Sequence, residues 1–164
     1  MLTRRELLAL VGSSAFLKTV RVEAEPFERI DAHLHIHRSV QAIFDKLDQV
    51  KWRGLNICVC GPIGDETFDL DGLLERTEAV CRDSNGRLAW AATIDARGFE
   101  RGDFTEQALA VVRKSFNRGA VGLKIWKNIG MEIKSTSGKY LMPDDKALLP
   151  IYEFVQKQDR TLIT

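Results

Sequence analysis

Past Pro26 the chain switches repeatedly between two hydrophobic periods. Five short stretches alternate residue by residue: Ile30–Ile36, Leu55–Cys60, Leu88–Asp95, Val121–Trp126, and a fifth from Thr161 to Thr164. Period two is that of a β-strand, whose successive side chains point to opposite faces. The stretches between them carry apolar residues at helical spacing. Val40–Val50 places Ile43, Phe44, Leu47 and Val50 on one side, with Ser39 as N-cap. Leu70–Arg82 does the same with Leu73, Leu74, Thr77, Val80 and Cys81, after Asp69 or Asp71. Thr105–Asn117 carries Leu109, Val112 and Phe116 and stops at Gly119, with Asp103 or Thr105 as cap; Lys146–Gln158 carries Leu148, Leu149, Tyr152 and Val155. Capping residues ahead of periodic apolar positions are helix starts.

Strand, helix, strand in regular succession predicts βαβ units and a parallel sheet. No Gly-x-Gly-x-x-Gly or Walker-type loop follows a strand, which argues against a dinucleotide or phosphate fold. Each strand sets one bulky aliphatic parity against a small or polar one. Leu55, Ile57 and Val59 oppose Asn56, Cys58 and Cys60; Leu88, Trp90, Ala92 and Ile94 oppose Ala89, Ala91, Thr93 and Asp95; Val121, Leu123 and Ile125 oppose Gly122, Lys124 and Trp126. A (β/α) barrel accounts for this, with the bulky side toward the helices and the smaller side toward the barrel interior and, at the strand C-termini, the active-site mouth. His33, His35, Asp95 and Lys124 are then expected to point inward near the top.

The first strand carries the candidate chemistry. In Ile30-Asp31-Ala32-His33-Leu34-His35-Ile36-His37, Asp31 and all three histidines of the chain fall on one parity. Histidines at i and i+2 of a strand lie side by side, roughly 7 Å apart at Cα, and two such rings can converge on one metal ion. Neutral imidazole is the commonest protein ligand for zinc and similar metals. The competing reading is an edge strand with one wet face.

Composition excludes some classes. The chain has 164 residues, with 24 Lys and Arg against 23 Asp and Glu. That balance makes no electrostatic case for a nucleic-acid partner, and no apolar run is long enough to span a membrane. Residues 1–24 look different. Arg4-Arg5 precede an apolar stretch from Leu7 to Leu17, and Val22-x-Ala24 follows. That is the layout of a twin-arginine-like export signal and implies a periplasmic or extracellular protein. The alternative is a short amphipathic helix on a cytoplasmic one. Cys58, Cys60 and Cys81 lack metal-knuckle spacing and are read as small buried hydrophobes, with a disulfide to Cys81 left open.

Asp31-Ala32-His33-Leu34-His35 resembles the first-strand His-x-His of the amidohydrolase superfamily. Gly119-Ala120-Val121-Gly122-Leu123-Lys124-Ile125-Trp126-Lys127-Asn128 resembles the fourth strand of its amidohydrolase-related (type 2) branch, as do Gly138–Asp145 and Pro150-Ile151-Tyr152. The resemblance covers most of Phe27–Thr164. It implies a TIM-type (β/α)8 barrel of which residues 25–164 would be the N-terminal half, about four and a half β/α units. It implies a divalent metal cofactor, usually zinc, as one or two ions held in part by His33 and His35. The reaction implied is attack of metal-activated water on an ester, lactone or amide carbonyl of a small-molecule substrate; members of the branch instead decarboxylate aromatic acids. By position Lys124 would carry a catalytic role, as a carbamylated metal bridge or a substrate-carboxylate contact, or stay structural. Trp126 and His37 are candidate substrate contacts; otherwise Trp126 packs the loop and His37 sits on the rim. Asp31 is a candidate for orienting a ligand histidine, and Asp95 is a further candidate at a strand end.

A full barrel takes roughly 250 residues, and relatives place further metal ligands on strands five, six and eight. The chain is therefore expected to be the N-terminal part of a longer protein, or else a natural truncation, and to be inactive alone. A reading of another class is a non-catalytic α/β half barrel that binds ligands or pairs with a second copy.

Overall fold

Five parallel strands hydrogen-bond in sequential order, β1-β2-β3-β4-β5, and curl into half of a barrel. They are β1 (Arg29–Leu34), β2 (Trp52–Ile57), β3 (Leu88–Thr93), β4 (Gly122–Lys124) and β5 (Thr161–Ile163). Helices α1 (Gln41–Val50), α2 (Leu70–Asp83), α3 (Phe104–Asn117) and α4 (Leu149–Lys157) connect them. The computed structural model describes residues 29–61 and 63–164. The export-signal reading of residues 1–24 lies outside the described residues. Sequential neighbours joined by helices make βαβ crossovers, and the curl keeps every helix on the outer face. This α/β half barrel is compatible with half of a TIM barrel.

The helices cover an apolar layer on the outer side of the sheet. Leu88, Trp90, Ala92 and Ile94 of the third strand, with Leu123 and Ile125 of the fourth, belong to it, alongside Leu73, Leu74, Val112, Phe116, Ile151 and Val155 from the helices. Those are the bulky parities of the two strands, as their alternation predicts. Ala91, Thr93 and Lys124 occupy the opposite face and are buried there.

The second strand is the other way round. Cys58 belongs to the helix-facing core, where its thiol donates to Thr77 Oγ1 of α2 at 3.3 Å. Asn56 lies level with Trp90 of β3 and beside the Cys81 thiol of α2. Ile57 is opposite Ala91 and shares its face. The expectation that Asn56 and Cys58 point into the barrel is corrected. Asn56 is 1% exposed, and two hydrogen bonds satisfy it: its Nδ2 donates to Ile36 O (2.9 Å) and its Oδ1 accepts from Ile36 N (2.8 Å). A buried amide goes where its partners are, and side-chain bulk alone does not reveal them.

The same amide explains where β1 ends. Strand pairing runs out at Leu34, after a register shift between Asp31 and Leu34, so the strand stops two residues short of the predicted Ile36. Beyond it the Asn56 side chain stands in for the ladder. Gly54 of β2 sits where β1 and β3 converge: a Cβ there would lie 2.3 Å from Leu34 Cδ1 and 2.8 Å from Leu88 Cδ2. Only the absence of a side chain lets those two leucines close over the strand.

Helix starts are mixed. Asp69 caps α2 through its carboxylate, which accepts from Gly72 N at 2.9 Å. Ser39 does not cap α1: Val40 holds the N-cap position, and Ser39 Oγ donates to Asp83 Oδ2 at 2.6 Å. Asp103 precedes α3, but its carboxylate takes the Gln107 side-chain amide instead of a backbone N–H. The fourth helix starts at Leu149 instead of Lys146, with Pro150 in its first turn, where a missing N–H costs nothing. Between β4 and α4 the chain makes an excursion that periodicity does not announce. It contains a helical turn at Asn128–Met131, broken by Gly130 at φ 92°, and a bridge between Lys134 and Tyr140. Buried Ile129, Ile133, Leu141 and Leu148 root it in the core.

Candidate metal and substrate site

The two histidines of the first-strand motif come together. The rings of His33 and His35 have centroids 4.9 Å apart and stand edge to face at 88°. His33 lies in the irregular last residues of β1, with its backbone N–H donating to Asp31 Oδ1 at 3.0 Å. His35 follows the strand. Its Nδ1 lies 2.9 Å from the carbonyl oxygen of Ile57, at the end of β2. A carbonyl can only accept, so Nδ1 carries the proton of that bond. Anchoring one ring nitrogen on a backbone carbonyl is how metal-binding histidines are oriented and their tautomer fixed.

These residues fit a metal in part. Two imidazoles on one tetrahedral zinc, with Zn–N near 2.0–2.1 Å, have ring centres about 5 Å apart, close to the spacing of this pair. A catalytic zinc takes three protein ligands, and among the described residues no three His, Cys, Asp or Glu side chains gather to hold an ion. Two imidazoles fall short of such a ligand set.

Trp126, just beyond β4, stands against the pair. Its ring is 6.2 Å from that of His35, edge to face at 90°, and Lys127 Nζ lies over the Trp126 ring, 5.5 Å from its centroid. Trp126 therefore forms a wall beside His35. Lys124 closes β4 level with Thr93 of β3, whose hydroxyl donates to the Lys124 carbonyl at 2.9 Å. Lys124 is 8% exposed, and no carboxylate among the described residues pairs with its ammonium.

No family model, no curated protein and no solved structure matches this chain.

The remaining candidates make no ring contact with the pair among the described residues. His37 makes no ring contact among the described residues, but it lines a recess toward α1 together with His35, Ile36, Arg38, Val40 and Ile43. Asp31 acts on the backbone of His33 and not on its ring. Asp95 is already occupied. Its carboxylate takes Arg97 Nε and Nη2, the latter at 2.6 Å, and also the Arg97 backbone N–H at 2.9 Å. Burial pushes the Asp95 carboxyl up, but the Arg97 hydrogen bonds and charge outweigh it and hold it below the usual range. Arg97 Nη1 donates onward to Asp65 O at 2.7 Å, which ties the loop after β3 to the loop after β2.

Sequence reasoning missed Arg97, Asn56 and Asn128. Asn128 is buried beside the Cys60 thiol, and its Nδ2 reaches no hydrogen-bonding N or O atom among the described residues. An Asp-x-Arg at a strand end was a legible signal for the Asp95–Arg97 pair; nothing local marked Asn56. The cysteines are free and buried. Burial raises the thiols of Cys58 and Cys60 to about 11 and that of Cys81 to about 12, with the Asp95 charge adding to the rise at Cys60. None is disulfide-bonded in this fold, and burial disfavours the thiolate in all three.

Proposed function

We propose that the chain carries the first-strand part of a metal-dependent hydrolase site of the amidohydrolase type, with His33 and His35 as two of the metal ligands. The observation that carries this reading is the Nδ1 anchor of His35 on Ile57 O, which holds that ring beside His33, with centroids 4.9 Å apart. The curl of five parallel strands supports it, because such barrels collect their chemistry at strand C-termini. The remaining ligands come from outside the described residues. When bound, zinc would supply a water acidic enough to act as hydroxide toward an ester, lactone or amide carbonyl.

The chain's own residues have these parts. Asn56 and the Ile57 carbonyl position His35. Trp126 flanks the substrate side of that ring. Lys124, at the end of β4 and without a carboxylate partner among the described residues, offers a cation to a substrate carboxylate.

The test is metal content of the protein produced from its full reading frame, measured by elemental analysis after purification. Stoichiometric zinc or a similar divalent metal is expected in the wild type, and its loss in His33→Ala and His35→Ala. Full metal in the double variant would refute the assignment. Turnover of lactones and esters supports the hydrolase; release of carbon dioxide from aromatic carboxylates in their place reassigns the reaction to decarboxylation.

A further inference from the structure

A cleft of about 590 Å³ opens between the start of α2, the end of β3 and the first turns of α3. That volume is in the range of small-ligand pockets. Leu70, Ile94, Phe104 and Ala108 give it an apolar floor. Neither His33, His35 nor Trp126 lines it, so nothing about it rests on the metal reading.

Four charged side chains also line the cleft, and two of them cancel. Arg97 is spent on Asp95 and on Asp65 O. Arg101 is not spent. Its Nη2 reaches Gln107 Oε1 only at 3.5 Å, and its Nε reaches Asp103 Oδ1 only at 3.6 Å, with the side chain 61% exposed. Contacts of that length leave most of the five guanidinium donors available. Glu66 has no hydrogen bond or ion pair among the described residues. One cation and one anion without strong partners thus face a cleft whose floor is apolar.

We propose that this cleft binds a small zwitterion with an apolar body, the class of apolar α-amino acids. The ligand carboxylate meets Arg101, the ammonium meets Glu66, and the side chain covers the floor. Each charged contact is a charge-assisted hydrogen bond, and the apolar body adds the burial term.

The experiment is a titration of the isotope-labelled protein by NMR with phenylalanine, with phenylpropionate, which lacks the ammonium, and with phenethylamine, which lacks the carboxylate. Phenylalanine is expected to shift the amide signals of Ile94 and Ala108 saturably, with each analogue binding about tenfold or more weakly. Arg101→Gln should weaken phenylalanine about tenfold and leave phenethylamine unchanged, and Glu66→Gln should weaken phenylalanine and leave phenylpropionate unchanged. Both side chains are exposed, so neither variant threatens folding. Equal binding of the three compounds, equal binding by both variants and the wild type, or no saturable shift would each overturn the proposal.

Discussion

Replacing Asn56 with Leu separates the role of one buried amide from that of its volume. The side chain is 1% exposed and supplies both backbone partners of Ile36, at 2.8 and 2.9 Å. Leucine has nearly the same size but neither donor nor acceptor. The substitution leaves an N–H and a C=O without their bonds, at about 1–3 kcal/mol each when they stay buried. Ile36 is only half-buried, so water recovers part of this. The new apolar carbons regain roughly 1 kcal/mol from burial beside Leu34 and Trp90. A net loss of about 2 kcal/mol results, which for a chain of this size lowers Tm by roughly 4–8 °C. Thermal unfolding followed by circular dichroism measures it. The segment holding His35 is also released, so under the proposed metal reading bound metal should fall together with Tm. A variant whose Tm stays within about 1 °C of wild type would show that the Asn56–Ile36 bonds do not hold this segment.

Two other outcomes follow from the titrating groups. Asp95 has a folded-state pKa below its ordinary 3.8, so its contribution to stability is present above that value and is lost as pH falls through the lowered one. Asp95→Asn should therefore flatten the acid limb of a stability-against-pH curve below about pH 4; an unchanged slope would mean that the Arg97 pair does not form in solution. The three thiols, raised to about 11 and 12 by burial, should resist a thiol reagent at pH 8 in the folded protein and react on unfolding. Rapid labelling of the native state would contradict their burial.

Much of the fold was legible because strands and helices advertise themselves locally. The alternation in Leu88–Asp95 marked β3 and showed which side meets the helices, since Trp90 and Ile94 have nowhere else to be buried. The same rule failed one strand earlier. Asn56 and Cys58 are smaller than Leu55 and Ile57, yet they lie under α2, because their hydrogen-bond partners, Ile36 and Thr77, are twenty or so residues away in sequence. The predicted strand end at Ile36 failed for a related reason: alternation continues to His37, but pairing with β2 stops at Leu34. The excursion between β4 and α4 has no periodicity, and its buried Ile129, Ile133 and Leu141 become meaningful only once packed.

The site divides along the same line. By itself the sequence determined that His33 and His35 are neighbours on one face, because a period of two is a property of the backbone. It also determined the β/α alternation, because amphipathic periods follow from burying one side of each element. Only the tertiary structure decided that Ile57 O fixes the tautomer of His35, that Trp126 stands beside it, and that Arg97 consumes Asp95 while bridging to Asp65 O. Those are contacts between different strands and loops. Their partners are chosen by the geometry of the curled sheet, and no local pattern of residues encodes them.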